Sequence, residues 1–168
     1  MSKKEKKLKT NVARIIEKHG ADCNILVYGS PEDDPIDGVT AAKLIGIDES
    51  RCFKTLVTEN LTHQNFVFVI PVAESLDMKK AAKHFHEKRI EMLPSGEIEK
   101  VTGYHRGGCS PIGMRKNFPT AIDETALKFE TISVSAGVIG AQIELDPRKL
   151  ARISAADFAD LTKDTGNR

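Results

Sequence analysis

The sequence predicts an α+β fold: a mixed, largely antiparallel sheet, able to close into a barrel, with helices outside it. Three observations lead there. Two runs rich in β-branched and aromatic residues, CFKTLVTE (52–59) and NFVFVIPV (65–72), flank a polar turn, which is the pattern of a hairpin. TISVSAG (131–137) and VIGAQIEL (138–145) form a second strand pair around a tight, glycine-containing turn. The helical segments are short, and strands outnumber the strand–helix–strand units that a parallel sheet requires.

Each element has a local reason. Thr10 offers an N-cap oxygen, and Val12, Ile15, Ile16 and His19 share one helical face until Gly20 stops the turn. NILVY (24–28) reads as a strand. The next nine residues, GSPEDDPID, hold two prolines and four acids and predict a surface loop. GVTAAKLIG (38–46) is a short helix ending on glycine. Asp77 caps a helix through MKKAAKHFHEKR (78–89), and IEML (90–93) follows as a strand. PSGEIEKVTG (94–103) starts on proline, which first helical turns tolerate, and ends on glycine. Residues 103–113 form a glycine-rich loop. PRKLARI and AADFADLT close the chain as two helices.

No repeat or Pro/Ser-rich linker interrupts this order, and 168 residues suit one domain better than two. The expected organisation is a basic arm over 1–9, one domain over 10–162 and a tail over 163–168. Charge nearly cancels, at 25 basic against 24 acidic residues, which excludes a polybasic nucleic-acid binder as a description of the whole chain. The distribution is uneven: residues 1–20 and 51–116 are net basic, and residues 21–50 carry seven acids against one base. The longest apolar run, 66–70, is too short to span a bilayer, and MSKKEKKLKT lacks the apolar stretch of a secretory signal. Cys23, Cys52 and Cys109 form no close pair. Free thiols and a cytoplasmic location are therefore expected.

Several chemistries lack support. His84 and His86, two apart on a predicted helix, diverge around its axis, and no cysteine stands at ligand spacing from another, so no metal is expected. Ser110 is followed by Pro111, which has no N–H to give an oxyanion, so the segment 108–113 is not a nucleophile elbow. Cys109 and His105 are loop neighbours, a poor basis for a catalytic pair. No phosphate-binding glycine motif follows a strand, so no nucleotide cofactor is expected. What remains is Lys54, emerging from a strand with apolar neighbours on both faces, and two glycine clusters: Gly103, Gly107, Gly108 and Gly113, then Gly137 and Gly140. A strand lysine ordinarily snorkels to solvent and a glycine ordinarily serves a turn. Together they can also line a cavity that offers positive charge and backbone N–H groups to an oxygen.

FKTLV (53–57), then T-G-Y-x-x-G-G-x-S-P-x-G (102–113), then S-x-G-x-x-G (135–140), resembles the YbaK/EbsC family of free-standing aminoacyl-tRNA editing proteins, typically Cys-tRNA(Pro) deacylases similar to the editing insertion of bacterial prolyl-tRNA synthetase. The resemblance covers nearly the whole chain. It implies a mixed six-stranded β-barrel with surrounding helices and a trans-editing deacylase that needs no cofactor. In that scheme the thiol of the mischarged cysteine attacks its own carbonyl. Lys54 matches the family's strand lysine. Gly107, Gly108, Ser110, Pro111 and Gly113 match the loop lining the aminoacyl pocket, with Gly107, Gly108 and Ser110 assigned to catalysis beside Lys54. Gly137 and Gly140 match the second turn, and Tyr28 matches a tyrosine bordering the pocket. The chain departs from the family pattern at Ala136, often glycine, and at Gln142, aspartate in some members.

For tRNA the resemblance directs attention to a basic surface: Lys79, Lys80 and Lys83, with Lys88 and Arg89, on the predicted helix, plus Arg115, Lys116 and the N-terminal arm. Mischarged tRNA(Pro) is the implied substrate and prolyl-tRNA synthetase a candidate partner. Two other readings stay open: the same pocket cleaving another mischarged amino acid, such as alanine, with water, and a non-catalytic tRNA- or synthetase-binding module. A small-nucleotide binder is a weaker third.

Overall fold

The computed structural model describes residues 9–164. The rest of the predicted basic arm and the last four residues of the predicted tail lie outside them. Among the described residues there are five α-helices, α1 (Asn11–Lys18), α2 (Gly38–Ile45), α3 (Met78–His84), α4 (Ile98–Thr102) and α5 (Pro147–Ser154). The strands are β1 (Asn24–Val27), β2 (Phe53–Asn60), β3 (Asn65–Pro71), β4 (Ile90–Met92), β5 (Thr120–Asp123), β6 (Ile132–Ser135), β7 (Ala141–Leu145) and β8 (Asp157–Ala159). The α+β class holds.

The sheet does not close. One sheet has the order β1-β7-β6, the other β4-β2-β3-β5-β8, and a single bridge between Cys52 and Ser133 joins them. The expected closed six-stranded barrel is therefore corrected to eight strands in two sheets. Hairpins supply the antiparallel pairs β2–β3 and β6–β7, while β3–β5 and β5–β8 are parallel. One edge of β2 is shared in two parts: Cys52 meets β6, and only Thr58–Asn60 pair with β4. Between these contacts the Val57 carbonyl accepts the Leu93 N–H, and among the described residues no strand is paired to residues 53–56 on that edge.

β3 explains the longest apolar run. Val69 faces a core formed with Val12, Ile16, Phe53, Ile122, Val134 and Ile143, where α1 and α5 close over the first sheet. Phe66, Phe68 and Ile70 face a second core with Ala81, Ala82 and Leu161 beneath α3. A strand covered on both faces needs no polar alternation. A smaller cluster seats α2 on Cys52 and Val72. There Gly38 allows close approach, since a β-carbon on it would stand 2.4 Å from Val72 Cγ1.

The capping predictions hold at Thr10, whose Oγ1 accepts the Ala13 N–H at 3.2 Å, and at Asp77, which accepts from Lys79 and Lys80. Three local expectations are corrected. The helix after Asp77 ends at His84, and His86 has a φ of 57° and lies beyond it. The segment 94–103 splits into a 3-10 turn and α4. AADFADLT is not a helix: its centre forms β8 along β5, and the Leu161 N–H donates to buried Asp123. Pairing with a buried strand outweighs local helix propensity there.

Candidate active site

A cavity of about 190 Å³ opens where the two sheets part. Its wall takes Phe53, Lys54 and Thr55 from β2, Ser135 and Gln142 from β6 and β7, Gly38 and Ala41 from α2, and Gly107 and Cys109 from the glycine-rich loop. Tyr28, Ile36 and Val72 complete it. Successive residues of β2 reach the cavity because it lies along the strand edge that no neighbour covers. Lys54 is half-buried here, and the loss of solvent holds its ammonium below the usual lysine range, with Glu74 opposing the shift. Thr55 Oγ1 is buried without a hydrogen-bond partner among the described residues.

Ser135 and Gln142 are opposite each other in the β6–β7 register, and both lie on this wall. Gln142 Oε1 accepts from Ser133 Oγ at 3.0 Å and from Cys52 Sγ at 3.8 Å. Burial pushes the Cys52 thiol up to about 11 and the Cys109 thiol up to about 12, so both are protonated near neutrality. The cavity wall thus offers an ammonium, hydroxyls and an amide, and no thiolate.

The predicted site residues separate into two groups. Lys54, Tyr28 and Gly107 meet in the cavity wall. The other predicted residues of the two glycine turns do not line it. Ser110 is wholly buried and its Oγ accepts the Ile112 N–H. Pro111 and Gly113 line a different hollow, shared with Ile15, Phe118 and Ile153. The Gly108 N–H is committed to the His105 carbonyl, and the Gly137 N–H to Ser135 Oγ. Those two N–H groups are therefore spent within the loops.

Four of the glycines are there for contact. A β-carbon on Gly108 would stand 2.9 Å from the Val138 carbonyl carbon, so this glycine lets the two glycine turns touch. One on Gly140 would stand 2.6 Å from the Gly29 carbonyl carbon. Gly113 and Gly137 both make room for Tyr104, at 2.7 Å and 3.1 Å by the same measure. Of the two departures from the family pattern, Ala136 is fully buried in the first core, and only Gln142 reaches the cavity.

The predicted basic residues do not behave as one surface. Lys79 and Lys83 are exposed on α3, Lys88 is exposed beyond it, and Arg89 pairs with Glu91. Lys80 is tied to Asp160, Asp164 and the Thr162 carbonyl. Arg115 lies against Gly103, and Lys116 lines the second hollow. Among the described residues no helix is long and apolar enough to cross a membrane, and no cluster of His, Cys, Asp and Glu is arranged to hold a metal ion.

A family model for the aminoacyl-tRNA editing domain matches residues 35–153. The chain belongs to this family. The editing-domain relatives cover nearly its full length. It is 42% identical over 162 residues to the proposed Cys-tRNA(Pro)/Cys-tRNA(Cys) deacylase EbsC of Enterococcus faecalis, spanning 96% of this chain and 98% of that one. Among solved structures, a proposed trans-editing enzyme for prolyl-tRNA synthetase superposes with a TM-score of 0.78 at 21% identity, over 93% of this chain and 99% of the other. A hypothetical protein superposes at 0.80 with 25% identity, over 90% and 99%.

The cavity wall also holds residues that the sequence does not single out. Ser135 had a signal, since Ser133 and Ser135 alternate with apolar neighbours and mark a polar face of β6. Cys109, a poor basis for a catalytic pair with His105, forms part of the wall. Ala41, Val72 and Ile36 had none, because small and apolar residues acquire a place in the wall only through the fold.

Proposed function

We propose that the protein is a trans-editing deacylase that cleaves the ester of mischarged Cys-tRNA(Pro). The observation that carries this reading is the meeting of Lys54, Tyr28 and Gly107 in one small cavity whose lining thiol, Cys109, is held protonated. Membership of the editing-domain family and the name of the Enterococcus relative support it. An apolar pocket discriminates poorly between amino acids of similar size, so a second, ester-cleaving site is the solution to such mischarging.

The reaction asks little of the polypeptide. The substrate thiol attacks the ester carbonyl carbon, forming a carbon–sulfur bond and a tetrahedral oxyanion. Collapse breaks the bond to the terminal ribose oxygen, which takes up the proton released by the thiol, and a thiolactone departs. The Lys54 ammonium stabilises the oxyanion or fixes the adjoining terminal adenosine, and the cavity holds the thiol near the carbonyl. Ser110 and the N–H groups of Gly108 and Gly137 act through loop shape. The exposed Lys79, Lys83, Arg115 and Lys116 are candidate phosphate contacts, and a synthetase partner fits the same scheme.

The test is deacylation of cysteinyl- and alanyl-tRNA(Pro) by the wild type and Lys54→Ala. Rapid, Lys54-dependent loss of the cysteinyl ester with slow loss of the alanyl ester is expected. Equal rates on both would overturn thiol assistance in favour of water attack, and no turnover on either would leave a binding module.

A further inference from the structure

We propose that the side-chain amide of Gln142 is a specificity-determining donor, holding the sulfur of the substrate's aminoacyl group at the floor of the cavity. This rests on the deacylase reading above.

The argument begins with orientation. Ser133 is wholly buried and its hydroxyl lies 3.0 Å from Gln142 Oε1, while the buried Cys52 thiol lies 3.8 Å from the same oxygen. A thiol near neutrality is a donor and a poor acceptor, and Cys52 is held protonated. The thiol therefore favours the amide oxygen where it is, since the opposite rotamer would set N–H against S–H, and the Ser133 hydroxyl donates to that same oxygen. With its oxygen turned inward to these donors, Gln142 has only its NH2 group left to present to the cavity it lines.

Depth decides what that group meets. Gln142 is 8% exposed, and its neighbours on the wall, Phe53, Ala41, Val72 and Ser135, are buried as well, whereas Gly107 is exposed and Tyr28 and Lys54 are half-buried. A tRNA terminus is a polymer end and has to stay at the mouth, so the floor receives the amino-acid side chain. Besides Ser135, Thr55 and Cys109, the buried wall around it is apolar, and a cysteine sulfur arriving there finds the Gln142 N–H. The bond strengthens as the thiol ionises for attack, since a thiolate is the better acceptor. Alanine brings no partner and would leave the amide unpaired, which a polar site penalises strongly.

Gln142→Glu separates this role from a structural one. The carboxylate keeps an acceptor for Ser133 and Cys52 but replaces the donor with an oxygen. Expected are a folded protein and a fall of about tenfold or more in the ratio of kcat/KM for cysteinyl- over alanyl-tRNA(Pro). Gln142→Met keeps the volume without the donor and is expected to give the same fall, which covers the case where the glutamate variant does not fold. A folded variant with an unchanged cysteine-to-alanine ratio overturns the proposal while wild-type turnover preserves the deacylase reading. A wild type inactive on both esters overturns that reading and this one together.

Discussion

The carbonyl oxygen of Gly140 accepts the Tyr28 N–H at 2.8 Å, and the Gly29 N–H joins it at 3.0 Å. One glycine of the second turn thereby extends the β1–β7 pairing by a residue and fixes where Tyr28 enters the cavity wall. Gly140 has a φ of 93°, and a β-carbon there would meet backbone at 2.6 Å. Gly140→Ala is expected to cost about 1–3 kcal/mol of stability. It should also lower turnover by displacing Tyr28. Chemical denaturation paired with a deacylation assay checks both, and an alanine variant as stable and active as the wild type contradicts the packing argument.

Lys54 yields the largest expected loss. Its charge sits beside the developing oxyanion, so Lys54→Ala should reduce kcat/KM by about 10²–10³-fold, the range seen on removing one such donor. Stability should hold, because burial already disfavours the ammonium. Circular dichroism with single-turnover kinetics distinguishes lost chemistry from lost fold.

The same lysine sets a pH dependence whose sign follows from its lowered pKa. Between the folded value and the ordinary value of 10.5, the unfolded chain carries the extra proton, so stability rises with pH across that window. Activity runs the other way, since the cation disappears as pH climbs through the folded value. Glu74 raises the Lys54 pKa, so Glu74→Gln should move the alkaline fall in kcat/KM to lower pH. Rates corrected for spontaneous ester hydrolysis would show the shift, and an unmoved limb would remove Lys54 from the rate-limiting charge.

Cys109 lies in the wall, and its burial argues against a role as nucleophile. With its thiol pushed up to about 12, the thiolate fraction at neutral pH is negligible. Cys109→Ala should change kcat/KM by less than about tenfold, equivalent to 1.36 kcal/mol. Abolition of turnover in this variant would demand a covalent mechanism instead.

The lysines of α3 should divide by their partners. Lys80 is held by Asp160, Asp164 and the Thr162 carbonyl, so Lys80→Ala should loosen the C-terminal segment and lower thermal stability. Lys79 and Lys83 are exposed, and their joint replacement should weaken tRNA binding and reduce its salt dependence without affecting stability. Melting curves and salt-titrated binding read the two effects separately.

Local order carried most of the elements into the sequence. The caps at Thr10 and Asp77, the glycine stop after α2 and the two hairpins each depend on residues within a few positions of one another. β5 escaped notice because TAID is four buried residues with no alternation to report it. β8 was read as a helix because its partner is 36 positions upstream. For the site, Lys54 was legible as a charge in an apolar strand, and Tyr28 and Gly107 through motif resemblance. Ser110, Pro111 and Gly113 share that motif, yet the chain turns their side chains or backbone away from the cavity.

By itself the sequence determined the α+β class, the hairpins, the editing-motif residues and the unusual lysine, because periodicity, capping and motif spacing are properties of neighbours along the chain. Only the tertiary structure decided that the sheet stays open, that the cavity forms where the two sheets part, and that Gln142 lines it. Those facts depend on strands meeting across the 81 positions between Cys52 and Ser133, a contact that no local pattern encodes.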